Sequence, residues 1–337
     1  MRAWFATDAA CLDYLEWIRW PEGFVCPACR TGGGWRMADG RWRCRGCGSR
    51  TSVTAGTIFD RTRTPLTVWF DAVWAFATAK DGVSAVGLKR TLEIGSYQTA
   101  WAMLQRLRAV LVRPGRERLA GRVEVDETYY GGHEPGLRGG RARGKKVLVG
   151  IAVEADEAGS LGRCRLRLLP DASAASLIAF VREHVEVGAR VVSDAWSGYA
   201  HLSRFGFEHE VRSQRAARRA GEDPDALLPG VHRVASLVKR WLLGTHQGAV
   251  GHEHLQAYLD EFVFRFNRRS SRSRGMVFYR VLQLAVGHAP VRYRALIVNP
   301  RPGSVSPTPP TARGRPASLE RPHPGRPWRR DGEAKTD

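Results

Sequence analysis

Four of the six cysteines fall into two Cys-x-x-Cys pairs, Cys26/Cys29 and Cys44/Cys47, with fourteen residues between them. Each pair forms a tight knuckle whose thiolates point at one ion, and the intervening hairpin brings the knuckles together around tetrahedral Zn2+. Four sulfurs close the coordination shell, so the metal is expected to be structural and folding of residues 21–58 to depend on it. That stretch is rich in Gly, Cys, Trp and Arg with little helical period, a composition too thin in apolar side chains to hold a core without a staple. Cys11 and Cys164 lack partners in sequence and read as buried small residues.

Before this module, residues 8–18 place Cys11, Tyr14, Leu15 and Ile18 on one helical stripe, with Asp8 as the expected N-cap of a helix in segment 1–20. After it, segment 62–115 is helical: Leu66, Trp69, Phe70, Val73, Trp74 and Phe76 repeat at three and four, and two further helices, 84–92 and 96–111, flank Ile94-Gly95. This order is helix-turn-helix-like. It serves a DNA-binding region or a plain antiparallel helix pair equally well.

The period then changes. Residues 121–130, 146–154 and 162–169 read as successive strands, followed by a helix over 172–185, a strand near 190–193 and amphipathic helices over 231–243 and 252–268. The fold class is therefore α/β over 119–285, a sheet covered by helices. The last segment, 300–337, holds half of the prolines and eight Lys or Arg, and is expected to be a disordered basic tail.

Fifty-three Lys plus Arg against thirty-three Asp plus Glu give a formal charge of +20, which points to a nucleic-acid partner. Arg43 and Arg45, interleaved with Trp35 and Trp42, give the cysteine module a cationic surface with planar groups for backbone contact. The glycine-rich run 139–146 lacks the spacing of a nucleotide-binding motif and reads as a basic loop beside DNA. No window has the roughly 18 uninterrupted apolar residues of a membrane span, and the first residues lack a signal-peptide core. A cytoplasmic, nucleoid-associated protein is expected.

Two β-like runs, 122–125 and 189–193, each end on an aspartate, Asp126 and Asp194, that leads into an aromatic-glycine turn. Strand ends deliver side chains to one rim of a sheet, and paired carboxylates there suit hard divalent cations. In so basic a chain the fitting substrate is a phosphodiester. Aspartate also favours turns through its own side-chain hydrogen bonds, so spacing alone leaves a purely structural role open.

Segments 123–132 (VEVDETYYGG), 192–199 (VSDAWSGY) and 254–269 (HLQAYLDEFVFRFNRR) resemble, in that order, the signature blocks of DDE insertion-sequence transposases of the ISXO type. Residues 26–47 are similar to the zinc ribbon that opens that family. The resemblance implies a ribonuclease H-like mixed sheet with flanking helices, and two Mg2+ ions at Asp126 and Asp194. It also implies cleavage and strand transfer at the ends of a mobile element. The implied partners are double-stranded DNA, as terminal inverted repeats and target, and further copies of the chain in a homo-oligomer on that DNA.

At the third catalytic position many relatives carry a glutamate ahead of a Leu-Leu-Lys-Arg-like run; aligned on Leu237-Val-Lys-Arg240, that position is His232. Imidazole ligates metals but brings no negative charge to offset Mg2+. Three readings stay open: His232 is the third catalytic residue, Glu253 or Glu261 reaches in, or the copy is inactive. Lys239 and Arg240 make the same helix basic enough to grip a scissile DNA backbone. Two rivals to a transposase remain, a zinc-ribbon DNA-binding protein with a decayed core and a nuclease on the same core.

Overall fold

A computed structural model describes residues 2–113, 115–131, 146–223 and 226–297. The basic loop 139–146, apart from Lys146, and the tail 300–337 lie outside the described residues.

Thr7, rather than Asp8, caps the first helix, α1 (Asp8–Arg19): its backbone is extended and its hydroxyl accepts from the Ala10 N–H. Asp8 is already helical, and its carboxylate instead accepts from the backbone N–H and hydroxyl of Thr67 at 3.0 and 3.2 Å. Three short antiparallel strands follow, β1 (Gly34–Arg36), β2 (Trp42–Cys44) and β3 (Arg50–Thr51). A Cβ on Gly34 would stand 2.4 Å from the Arg43 carbonyl oxygen, so only glycine allows β1 and β2 to approach. The Phe24 ring stacks on Trp42 at 5.1 Å and meets Trp20 edge-on at 4.8 Å. Trp42 Nε1 donates to Glu16 at 2.9 Å, which fixes the ribbon to α1.

The helical layer holds α2 (Leu66–Thr78), α3 (Ala85–Thr91) and α4 (Tyr97–Ala109). Ser84 and Ser96 cap α3 and α4 through their hydroxyls. Seven residues of α4 are buried, Ala100, Ala102, Met103, Leu104, Gln105, Leu107 and Arg108, so packing consumes most of the helix. Only Tyr97 and Gln98, in its first turn, are fully on the surface.

The remainder builds a five-stranded sheet: β4 (Arg122–Tyr130), β5 (Val147–Ala155), β6 (Leu161–Leu169), then α5 (Ala174–His184), β7 (Arg190–Asp194) and β8 (Glu208–Arg212). The spatial order is β6-β5-β4-β7-β8, antiparallel from β6 to β4 and parallel from β4 to β8, the ribonuclease H-like mixed arrangement. Helices α6 (Gln214–Ala220), α7 (Pro229–His246), α8 (Leu255–Phe266), α9 (Arg274–Gly287) and α10 (Tyr293–Ile297) complete the described chain. One sheet face packs Val123, Val125 and Ala152 under α5 with Leu177 and Phe180. The other packs Val149, Ile151 and Val192 under α7 and α8 with Val234, Val238 and Leu259. Helix α9 returns to the helical layer, where Val277, Phe278 and Val281 join Leu15, Phe70 and Val73 in one core. Among the described residues no helix is long and apolar enough to cross a membrane.

Candidate active site

In the parallel ladder between β4 and β7, Val125 stands opposite Ser193, so the residues that follow, Asp126 and Asp194, occupy the next rung at the end of the pairing. Neighbouring strands run about 4.8 Å apart. Side chains alternate along a strand, which puts Asp126 on the face of Glu124 and Thr128, and Asp194 on the face of Val192; both faces look toward α7. The two carboxylates therefore share a rim and a face. Asp126 Oδ1 accepts from the Glu127 N–H at 2.8 Å and Asp194 Oδ1 from the Trp196 N–H at 3.0 Å.

His232 lies in the first turn of α7, with Nε2 3.8 Å from Asp126 Oδ2. The helix start is set by Glu124, 1% exposed, whose Oε2 accepts from the N–H groups of Gly230 at 2.7 Å and Val231 at 3.2 Å. A carboxylate suits the positive end of a helix dipole. Two turns further along α7, Lys239 Nζ donates to Thr128 Oγ1 at 2.8 Å. Asp126, Glu127, Thr128, His232 and Lys239 line one cleft of about 650 Å3.

Glu127 is a second carboxylate that spacing did not single out. It accepts from the fully buried Tyr199 hydroxyl at 2.8 Å. Burial and then the charges of Glu127 and Asp126, with Asp194 further down, hold that hydroxyl's pKa well above the usual phenol range. Three carboxylates thus put their field on one tyrosine. The signal for Glu127 was its place directly after Asp126 and before a tyrosine pair.

The alternatives for the third position sit elsewhere. Glu261 is fully buried and paired with Arg108 at 2.7 Å, and Glu253 lies beside His254 at 3.9 Å in the turn before α8. Arg240 lines a different cleft, of about 910 Å3, with Lys80, Asp81 and Arg265. In the ribbon, Arg43 lies over the exposed Trp35 ring at 5.6 Å and Arg45 flanks Gly33.

Asp126, Asp194 and His232 do not draw their donor atoms into one tight group; among the described residues the four ribbon cysteines do, with all sulfurs within 4.8 Å of one another. Cys26 Sγ lies 3.7 Å from Cys47 Sγ, and Cys29 Sγ lies 3.5 Å from Cys44 Sγ. A tetrahedral ion with Zn–S bonds of about 2.3 Å sets sulfurs about 3.8 Å apart, so the quartet fits zinc. Cys11 and Cys164 are fully buried, with burial pushing each thiol up to about 12, as fits inert core cysteines.

Residues 6–50 match the family described as transposase zinc-ribbon domain, and residues 118–267 match the one described as ISXO2-like transposase domain. An uncharacterized protein in transposable element ISH50 of Halobacterium salinarum is 25% identical over 285 residues, covering 77% of this chain and 91% of its own. The two domain matches follow one another in the order of the ribbon and the sheet described above, so the chain is similar to a transposase zinc ribbon over residues 6–50 and to an ISXO2-like transposase domain over residues 118–267.

Proposed function

We propose that the chain is a DNA transposase that cleaves the ends of its element and joins them to target DNA at the cleft of Asp126 and His232, with Asp194 on the neighbouring strand. The observation that carries this reading is the shared rung of Asp126 and Asp194 at the end of the β4/β7 pairing. Mg2+ bound by these carboxylates supplies charge neutralisation and activation of the attacking oxygen in an in-line displacement at phosphorus. The carboxylate oxygens of Asp126 and Asp194 suit that ion, while the His232 imidazole beside them offers a nitrogen and no negative charge.

The chain's own residues then have separate tasks. Glu124 fixes the first turn of α7 and so sets His232 against Asp126. Tyr199 holds Glu127 in place from the other side of the sheet. Lys239 adds a cation at the wall of the cleft, where a scissile phosphodiester would pass. Double-stranded DNA is the substrate, and assembly of several copies on paired ends follows from the family resemblance.

The test is an assay of the purified protein with DNA carrying the element's termini and Mg2+ or Mn2+. Nicking that exposes a 3′-hydroxyl, followed by joining to a second duplex, supports the reading; loss of both reactions in Asp126→Asn and Asp194→Asn assigns them to this cleft. His232, standing where relatives carry a glutamate, favours a second reading, a DNA-end-binding protein with no strand transfer. Tight end binding that ignores divalent cations, with no cut product, identifies that case.

A further inference from the structure

Arg116, on the linker between α4 and β4, is half-buried, and its guanidinium makes neither hydrogen bond nor ion pair with a described residue. It opens into a pocket of about 310 Å3 whose wall also carries Arg113, Arg163, Arg165, Arg268 and Arg280. Glu117 and Asp260 are the carboxylates in that wall. Several of the arginines are oriented by neutral groups that leave their charge intact. Arg165 donates to the carbonyls of Cys164 and Glu117 at 2.9 and 2.6 Å, Arg268 to that of Phe264 at 3.2 Å, and Arg280 to the Gln283 side chain. Arg113 pairs with Glu117, and Arg163 with Glu154 at 2.6 Å.

The crowding is felt by the groups themselves. Burial, then Arg116 and Arg163, bring Arg165 down to about 10; burial, then Arg280 and Arg113, lower Arg268. His184 is pulled down to about 3 by burial and then by Arg116, Arg167, Arg165 and Arg118. An anion in the pocket relieves this repulsion in a partly desolvated setting, where electrostatics count for more than in water.

The pocket is separate from the Asp126 cleft. The pocket lies at the β6 edge of the sheet, two strands from β4, which carries Asp126. Its wall draws on the linker, β6, α8 and α9, and it shares no residue with the cleft. Guanidinium forks match phosphate oxygens in bidentate fashion. Asn267, the one amide in the wall, is consumed by the backbone of Cys164, which leaves guanidinium groups as the donors that face the pocket.

We propose that this pocket is a second grip on DNA, taking phosphodiesters of the duplex backbone away from the strands being cut, without regard to sequence. It rests on the reading of the chain as a DNA-acting protein. The full-length protein is titrated with random-sequence duplex, without added divalent cation, over a series of salt concentrations. Each phosphate contact contributes about 0.9 to the slope of log K against log salt. The pair Arg116→Gln, Arg280→Gln is expected to flatten the slope by about 1 to 2 and to weaken binding about tenfold near 0.1 M salt, with zinc content and thermal midpoint unchanged. Wild-type protein supplies a second measurement that needs no variant: duplex should protect Arg116 and Arg280 from phenylglyoxal, and inorganic phosphate at equal ionic strength should not. An unchanged slope, or arginines equally reactive with and without duplex, overturns the proposal. Protection by phosphate but not by duplex also overturns it and makes the pocket a small-anion site. A protein that cuts DNA yet leaves these arginines reactive fails this inference alone, whereas one that binds no duplex fails the transposase reading as well.

Discussion

The backbone N–H of Gly230 donates to the buried Oε2 of Glu124 at 2.7 Å, and a Cβ at position 230 would stand 2.8 Å from that same oxygen. The contact leaves no room for a side chain, and it fixes the turn of α7 that carries His232. Gly230→Ala must either push Glu124 away from the helix start or tilt α7 off β4. We expect a loss of about 1–3 kcal/mol in urea unfolding, the usual scale of overpacking in a core. Cleavage by the folded fraction should fall with it, since His232 moves relative to Asp126.

Asp126→Asn and Asp194→Asn remove charge at the rim without removing volume. Cleavage in a single-turnover assay is expected to fall by more than about 100-fold, as for loss of a charged ligand at a metal-dependent site. Stability should hold or rise, because the two carboxylates on adjacent strands repel one another when no cation lies between them. His232→Glu is expected to raise activity at low Mg2+ by adding the missing negative charge, and His232→Ala to lower it. Equal rates for the three would leave His232 outside the chemistry.

The parts of this arrangement that sequence could announce are those whose pattern is local. The β4 run RVEVDETYY and the β5 run VLVGIAVEA carry their own apolar signal; Asp194 ends β7 as its spacing announced, whereas Asp126, expected at a strand end, lies in the middle of β4, which runs on to Tyr130 against β5. What sequence could not supply is the parallel pairing of β4 with β7, across sixty-odd residues, that makes two aspartates neighbours. The edge strand β8 went unannounced because Glu208-His-Glu-Val-Arg has no apolar alternation; it is recruited by the β7 edge. Likewise, the apolar period of α9 says that it packs but not on what, and it packs on α1 and α2. Thr7 in place of Asp8 at the N-cap is a one-residue difference settled by backbone angles.

Glu261, one of the sequence candidates for the third carboxylate, is instead half of a buried ion pair with Arg108, and the guanidinium also lies over the Tyr258 ring at 3.8 Å. Breaking a buried pair leaves one uncompensated charge, at about 3–5 kcal/mol. Glu261→Ala is therefore expected to lower stability on that scale, and Arg108→Met added to it should restore part of the loss. Per folded molecule, cleavage should be unchanged. A Glu261 variant that folds normally but no longer cuts would return this residue to the active site.

The ribbon's apolar centre is little more than Phe24 and two cysteines with Trp20 and Trp42 at its edge, so its order should depend on metal. One zinc per chain is expected by atomic absorption, and Cys26→Ser or Cys44→Ser should lose it. Chelation should expose Trp20 and Trp42 as a red shift in fluorescence, while the sheet's circular dichroism persists because its two cores share no residue with the ribbon. Loss of the whole fold on chelation would show instead that the ribbon supports the rest of the chain.

Stability should fall with acid well before the carboxylates as a class are protonated. Burial is the main cause that holds His184 and His246 down to about 3 against an ordinary value of 6.5. Between those values the unfolded chain binds protons that the native chain refuses, so native stability drops as the pH falls, by up to about 1.4 kcal/mol per pH unit for each histidine. Asp260 works the other way. Burial raises it from 3.8 to about 6, so over that interval the native chain holds a proton that the unfolded chain lacks, which offsets one histidine. The three groups together predict no slope above about pH 7.5, rising through pH 6.5 to a net slope of about one proton between about pH 6 and 5. His184→Gln should remove about one proton from the slope between about pH 5 and 6, leaving a curve that is nearly flat from about pH 7 to 5 because His246 and Asp260 then offset one another. Urea unfolding at half-unit pH steps measures this, and an unaltered slope in the variant would mean that His184 is protonated in the native state.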